Sequence, residues 1–177
     1  LFLGPLVLGF VEGFGQPLFQ FRELVWWRNF VIGPLSEEWV FRGCMCPLLW
    51  AGGFGFFGTI ITSPLLFGLA HLHHIFQHLH KSKVEIRNAL IAVLFQLMYT
   101  TVFGMYSSFL FLRTGSIMAP FIVHAFCNFM GFPDFEAALA STHKKAIGFA
   151  FLTGLTMFLF MLLPLTEPTL YNHNLKM

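Results

Sequence analysis

Charge is what this sequence has least of: lysine, arginine, aspartate and glutamate together make up 10% of its 177 residues, and the net charge is only +2. With the cations spread this thinly there is no basic stripe to track phosphates, which argues against a nucleic-acid partner, and no patch dense enough to mark an acidic or basic protein ligand. Cysteine is scarce as well. Cys44, Cys46 and Cys127 form an odd set inside apolar segments, unsuited to a disulfide framework, and are expected to be buried, inert thiols. No basic stretch precedes an apolar core near Leu1, so no signal peptide is expected, and the chain is read as truncated at its start. Internal repeats and low-complexity tracts are also missing.

Hydrophobic residues make up 56% of the chain, 25 of them phenylalanine, and the mean hydropathy is +0.73. A soluble core of this length could not bury so many bulky apolar side chains under a polar surface, so the expected solvent is a bilayer. The expected fold is all-α: a polytopic integral membrane helical bundle enclosing an intramembrane catalytic cavity, with residues 1–177 forming a single membrane-embedded domain. Approximate spans are 36–50, 54–74, 88–112, 116–131 and 146–163, the third needing tilt or a kink near Gly104. Residues 1–21, broken by glycines and prolines, read as a short or irregular segment, with Gly9 and Gly13 a weak small-residue packing pair. Trp26 and Trp27 suggest an interfacial stretch; Pro34 sets up a helix start with Ser36 as N-cap, and Pro47 ends or kinks that helix. If the last four spans alternate, Lys81, Lys83, Arg87, Lys144 and Lys145 share one side, opposite Arg113 and Lys176. That excess marks the first side as cytosolic.

Polar side chains at membrane depth are costly and mark functional paths, and three groupings occur at i, i+4 spacing. In the first, Glu38 and Arg42 are placed for an ion pair on one helix face. Glu37 projects away from that pair and can point into a cavity as a base; the plainer alternative is an interfacial acidic cap. In the second, Phe67-Gly68-Leu69-Ala70-His71 brings small residues and a histidine to the end of an apolar run, followed by His73, His74, His78 and His80. His71 is either a functional group or a hydrogen-bonded packing residue. In the third, His124 and Asn128 lie on one face of a short apolar helix, able to donate to one oxyanion or, alternatively, to a neighbouring helix. A carboxylate, a histidine and a His/Asn pair in separate helices match the parts list for water-mediated amide hydrolysis.

In this order, Glu37-Glu38-x-x-x-Arg42, Phe67-x-x-x-His71 and His124-x-x-x-Asn128 resemble the three signature motifs of the CAAX prenyl endopeptidase family, nearest its eukaryotic Ras-converting branch. The stretches WWRNFVIGPLSEEWVFRG, FGLAHLHHI, RTGSIMAPFIVHAFCNFMGFP and PLTEPTLY carry the resemblance, which covers most of the chain from Trp26 onward. The resemblance implies a multi-pass glutamate protease of the endoplasmic reticulum membrane, with its site open to the cytosol. It would remove the C-terminal tripeptide from farnesylated or geranylgeranylated CAAX proteins, Ras-like GTPases among them. By position, Glu37 would be the general base and His71 would help hold and activate the water. His124 and Asn128 would stabilise the oxyanion, with Glu38, Arg42 and Phe67 in support. No cofactor or metal is implied, and the partners are prenylated proteins and the lipid bilayer.

Three other readings compete. Five histidines from His71 to His80 invite a metalloenzyme, but there is no His-Glu-x-x-His and the cluster reads His-x-His-His. A non-catalytic membrane scaffold of the same fold would have no physical reason to keep Glu37, His71, His124 and Asn128 together. A cysteine protease would need Cys44, Cys46 or Cys127, and Cys127 is expected to point about 100° away from Asn128 on the helix.

Overall fold

The computed structural model describes residues 2–13, 22–70 and 86–173, and every regular element among them is helical. In order these are α1 (Leu3–Glu12), α2 (24–51), α3 (Gly55–Ala70), α4 (Ile86–Thr114), α5 (Met118–Met130), α6 (Phe135–Ala140) and α7 (Lys144–Leu165), followed by a 3₁₀ turn at Pro168–Tyr171. Within the described residues, Val93–Thr114 and Lys144–Leu165 are long and apolar enough to cross a bilayer, while α1, α5 and residues 55–68 are shorter apolar helices. The chain is an all-α membrane protein.

Its burial pattern is that of a membrane bundle. Glu38, Arg42, Thr59, Ser63, Ser107 and Ser108 are fully buried, while Phe149, Leu152, Phe160 and Leu163 on α7 face outward. Lipid tails offer apolar side chains no reason to turn inward, whereas each polar group at that depth needs a protein partner.

Helix α2 departs most from expectation. Pro34 does not start a helix and Ser36 does not cap one; the helix begins at Leu24 and Ser36 Oγ donates to the Gly33 carbonyl at 2.9 Å. Nor does Pro47 end it. Helical backbone angles persist through Arg28, Gly33, Trp39 and Cys46, where α-helical turns alternate with π-helical turns at Arg28–Ile32 and Trp39–Met45. Each π turn lies just before a proline. A proline ring lacks the N–H for the i−4 carbonyl and crowds it, and the wider i→i+5 turn absorbs both effects without breaking the helix.

Helices α3 and α4 pack along their length. A Cβ on Gly68 would come within 2.8 Å of Leu97, and one on Gly104 would come within 2.8 Å of the Pro64 Cβ and 3.1 Å of Arg42 Nη2. Gly104 therefore permits close approach, and α4 remains α-helical through it. At the N-terminus, residues 3–12 form a regular helix that packs on α7 through Gly4 and Leu8, against Phe151 and Ile147, so the small-residue contact falls at Gly4. Asp134 caps α6 by accepting from the Ala137 N–H at 2.8 Å. Arg113 at the end of α4 pairs with Glu167 at 3.1 Å and donates to the Leu163 carbonyl, tying α4 to the end of α7.

Candidate active site

Three helices supply the site. The short α-helical stretch between the two π turns of α2 presents Glu37 and Glu38, α4 passes behind it with Phe103, Gly104 and Ser107, and α5 contributes His124 and Asn128. Glu38 is the hub. Its Oε1 lies 2.7 Å from His124 Nδ1 and accepts from Arg42 Nη1 at 3.3 Å, while its Oε2 accepts from Ser107 Oγ at 2.6 Å. Arg42 Nε is 3.2 Å from Oε2, but its N–H has no hydrogen-bonding acceptor, so this contact adds charge attraction only. Arg42 Nη2 donates to the Gly104 carbonyl at 3.1 Å, and the guanidinium lies over the Phe67 ring, 5.3 Å from its centroid. A buried charge is tolerable only when ion pairing and hydrogen bonds replace its water, and the Glu38–Arg42 pair has both.

The hub sets the orientation of His124. A carboxylate held by Arg42 and Ser107 accepts, so Nδ1 carries the hydrogen it donates to Glu38 and Nε2 is left for the cavity. The ring stacks edge-on against Phe103, with centroids 4.9 Å apart. Nε2 faces Glu37 Oε2 at 3.9 Å, too far for a direct hydrogen bond and suited to a shared small molecule such as water. Glu37 is 38% exposed whereas Glu38 is completely buried, so two adjacent carboxylates have different tasks: one is committed to structure, the other is open to the cavity.

Glu37, His124 and Asn128 line a cavity of about 180 Å³ together with Phe67, Tyr99 and Phe103. It adjoins a wider one of about 580 Å³, which shares Glu37, Tyr99, Cys127 and Asn128 and extends to Arg28 and Phe132. Asn128 does not aim all its hydrogens at the cavity: Nδ2 donates to the Asn29 carbonyl at 3.1 Å. His124 and Asn128 thus share a wall, but in this conformation each is anchored to a different partner. Cys127 lines both cavities; Cys46 is fully buried as expected, but Cys44, also expected to be buried, is exposed.

His71 lies outside the described residues, as do His73, His74, His78 and His80 with the loop that carries them. Among the described residues no three His, Cys, Asp or Glu side chains group as metal ligands. The sequence did not single out Ser107, Asn29 or Arg28 as site residues, and it marked Gly104 only as the place of a kink or tilt. Ser107 and Ser108 did carry a readable sign, a pair of hydroxyls inside a long apolar run, where polar groups need partners.

Comparison with known proteins follows the same residues. The family profile described as "Type II CAAX prenyl endopeptidase Rce1-like" matches residues 20–130, a span holding Glu38 and its three partners. CAAX prenyl protease 2 of Homo sapiens is 44% identical over 149 residues, covering 84% of this chain and 45% of that protein. CAAX prenyl protease 2 of Arabidopsis thaliana is 46% identical over 147 residues, covering 82% of this chain and 46% of that protein. The probable CAAX prenyl protease 2 of Schizosaccharomyces pombe is 37% identical over 158 residues, covering 86% and 58%. The chain therefore spans about half the length of the curated relatives it matches. No solved structure matches it significantly. With a family profile across most of the chain and relatives of this similarity, the chain belongs to the type II CAAX prenyl endopeptidase Rce1-like family.

Proposed function

We propose that this chain carries the active site of an intramembrane endopeptidase of the endoplasmic reticulum. Its substrates would be farnesylated or geranylgeranylated CAAX proteins, Ras-like GTPases among them, and it would release their C-terminal tripeptide. The observation that carries this reading is the pairing across one cavity of Glu37, open and uncommitted, with His124 Nε2, 3.9 Å away and fixed by the buried Glu38. The relatives' name supports the substrate class. The chain is proposed to lie in the membrane as one domain, with the site reached from the cytosolic side.

In the proposed reaction a water between Glu37 and His124 attacks the carbonyl carbon of the prenylated cysteine and gives a proton to the Glu37 carboxylate. His71 is assigned a share in holding that water. The carbonyl oxygen becomes an oxyanion stabilised by Asn128 and by His124, whose Nε2 donates when the ring carries its second proton. As the C–N bond breaks, the proton on Glu37 passes to the departing nitrogen, leaving a new cysteine carboxylate and a tripeptide with a free amine. A 15- or 20-carbon prenyl chain gains about 0.8 kcal/mol per buried CH₂ by staying in apolar surroundings, which is a physical reason for the peptide end to come to a site inside the membrane.

The test is tripeptide release from a farnesylated peptide by the membrane-reconstituted protein. General acid–base catalysis contributes about 10²–10⁴-fold, and Glu37→Gln is expected to lose a factor in that range. An oxyanion donor is typically worth about 10²–10³-fold, the expected loss for Asn128→Ala. His71→Ala and His124→Ala should also lose activity. Near-normal release by Glu37→Gln, or activity removed by chelators and restored by metal, would overturn the reading.

A further inference from the structure

The wider cavity has a second charged group besides Glu37. Arg28 lines it at the end away from His124, beside Asn29, whose carbonyl holds Asn128. The exposed Arg28 donates through Nε to Asn29 Oδ1 at 3.0 Å, and its two Nη groups have no protein hydrogen-bond partner among the described residues. Hub arginine Arg42 is different, because its guanidinium is fully buried and committed to Glu38 and Gly104. Resting on the proteolytic reading, we propose that Arg28 binds the free C-terminal carboxylate of the substrate and so measures where the chain is cut.

Geometry and chemistry together point to that ligand. A guanidinium fork with free Nη groups matches a carboxylate in two parallel hydrogen bonds. A proteolytic site that releases a fixed-length tripeptide needs a marker at the end of the chain as well as one at the bond to be broken. The dimensions agree: Arg28 and Glu37 lie on the same helix, separated by about 13 Å of axial rise at ~1.5 Å per residue, somewhat less through the π turn. An extended tripeptide spans about 10 Å, and a flexible arginine arm takes up the difference. The cavity's 580 Å³ falls within the usual range of small-ligand sites, about 300–1,000 Å³. Trp26 and Trp27 directly precede Arg28, a placement suited to the headgroup level, where a carboxylate can stay charged.

The experiment compares two farnesylated peptides, identical except that one ends in a free carboxylate and the other in a carboxamide, using wild type, Arg28→Gln and Arg28→Lys in phosphatidylcholine vesicles with and without phosphatidylserine. A charge-assisted hydrogen bond at a partly solvated site corresponds to about a tenfold preference for the acid in kcat/KM. Arg28→Gln should collapse the acid-to-amide ratio toward one, and Arg28→Lys should leave it intermediate. Two results would overturn the proposal: a wild-type ratio near one, or an Arg28→Gln variant that slows both peptides and keeps the ratio. An Arg28 effect that is equal for both peptides and scales with phosphatidylserine would assign the guanidinium to a lipid headgroup instead. Failure of the wild type to cleave either peptide would refute the proteolytic reading itself, whereas cleavage without discrimination refutes only the role of Arg28.

Discussion

One hydroxyl, Ser107 Oγ, holds one oxygen of Glu38 while His124 takes the other. Removing it frees a buried carboxylate to turn and loosens the acceptor that fixes His124. A hydrogen bond to a charged group is worth about 1.5–3 kcal/mol; Ser107→Ala is therefore expected to lower stability by an amount in that range. If the hydroxyl acts through His124, kcat falls while KM holds, and a lowered melting temperature with unchanged kcat would make the residue purely structural. The Glu38–Arg42 spacing was legible in the sequence because both partners lie on one helix. The rest of the hub was not, since Ser107 and His124 lie 69 and 86 positions from Glu38. Helical periodicity says which face a residue occupies, but not which distant helix will meet that face.

Elements show the same division. Long apolar runs announced α4 and α7, because twenty or so residues of one character leave few alternatives. Helix α2 was misread at both prolines, since a proline looks the same in sequence whether it ends a helix or is absorbed by a π turn. Glycine was ambiguous too: Gly104 could signal a kink or a close contact, and only the neighbouring Pro64 and Arg42 decide between them. Overpacking a tight contact typically costs about 1–3 kcal/mol. Gly104→Val should therefore destabilise the bundle by at least that amount, measured by thermal unfolding in detergent. It should also reduce cleavage, since the displaced guanidinium is the one that pairs with Glu38.

Among the described residues of the whole molecule, a group of polar side chains is fully buried while many large apolar ones, Phe149 and Phe160 among them, are exposed, as the apolar composition leads one to expect of a chain whose solvent is a bilayer. What composition could not reveal was where the interior polarity is concentrated. A cation at the centre of a spanning helix costs about 2.5–3.5 kcal/mol on insertion scales. Leu152→Arg or Phe160→Arg on the outward face of α7 should reduce the fraction of protein resisting carbonate extraction, whereas Leu152→Ile should not.

The carboxylate of Glu38 joins α2, α4 and α5 at a single point. Until those three helices have met, His124 has no fixed hydrogen and Glu37 no opposite number. On the proteolytic reading, a half-assembled bundle is therefore harmless to the proteins around it, and the cutting edge would appear only with the finished tool.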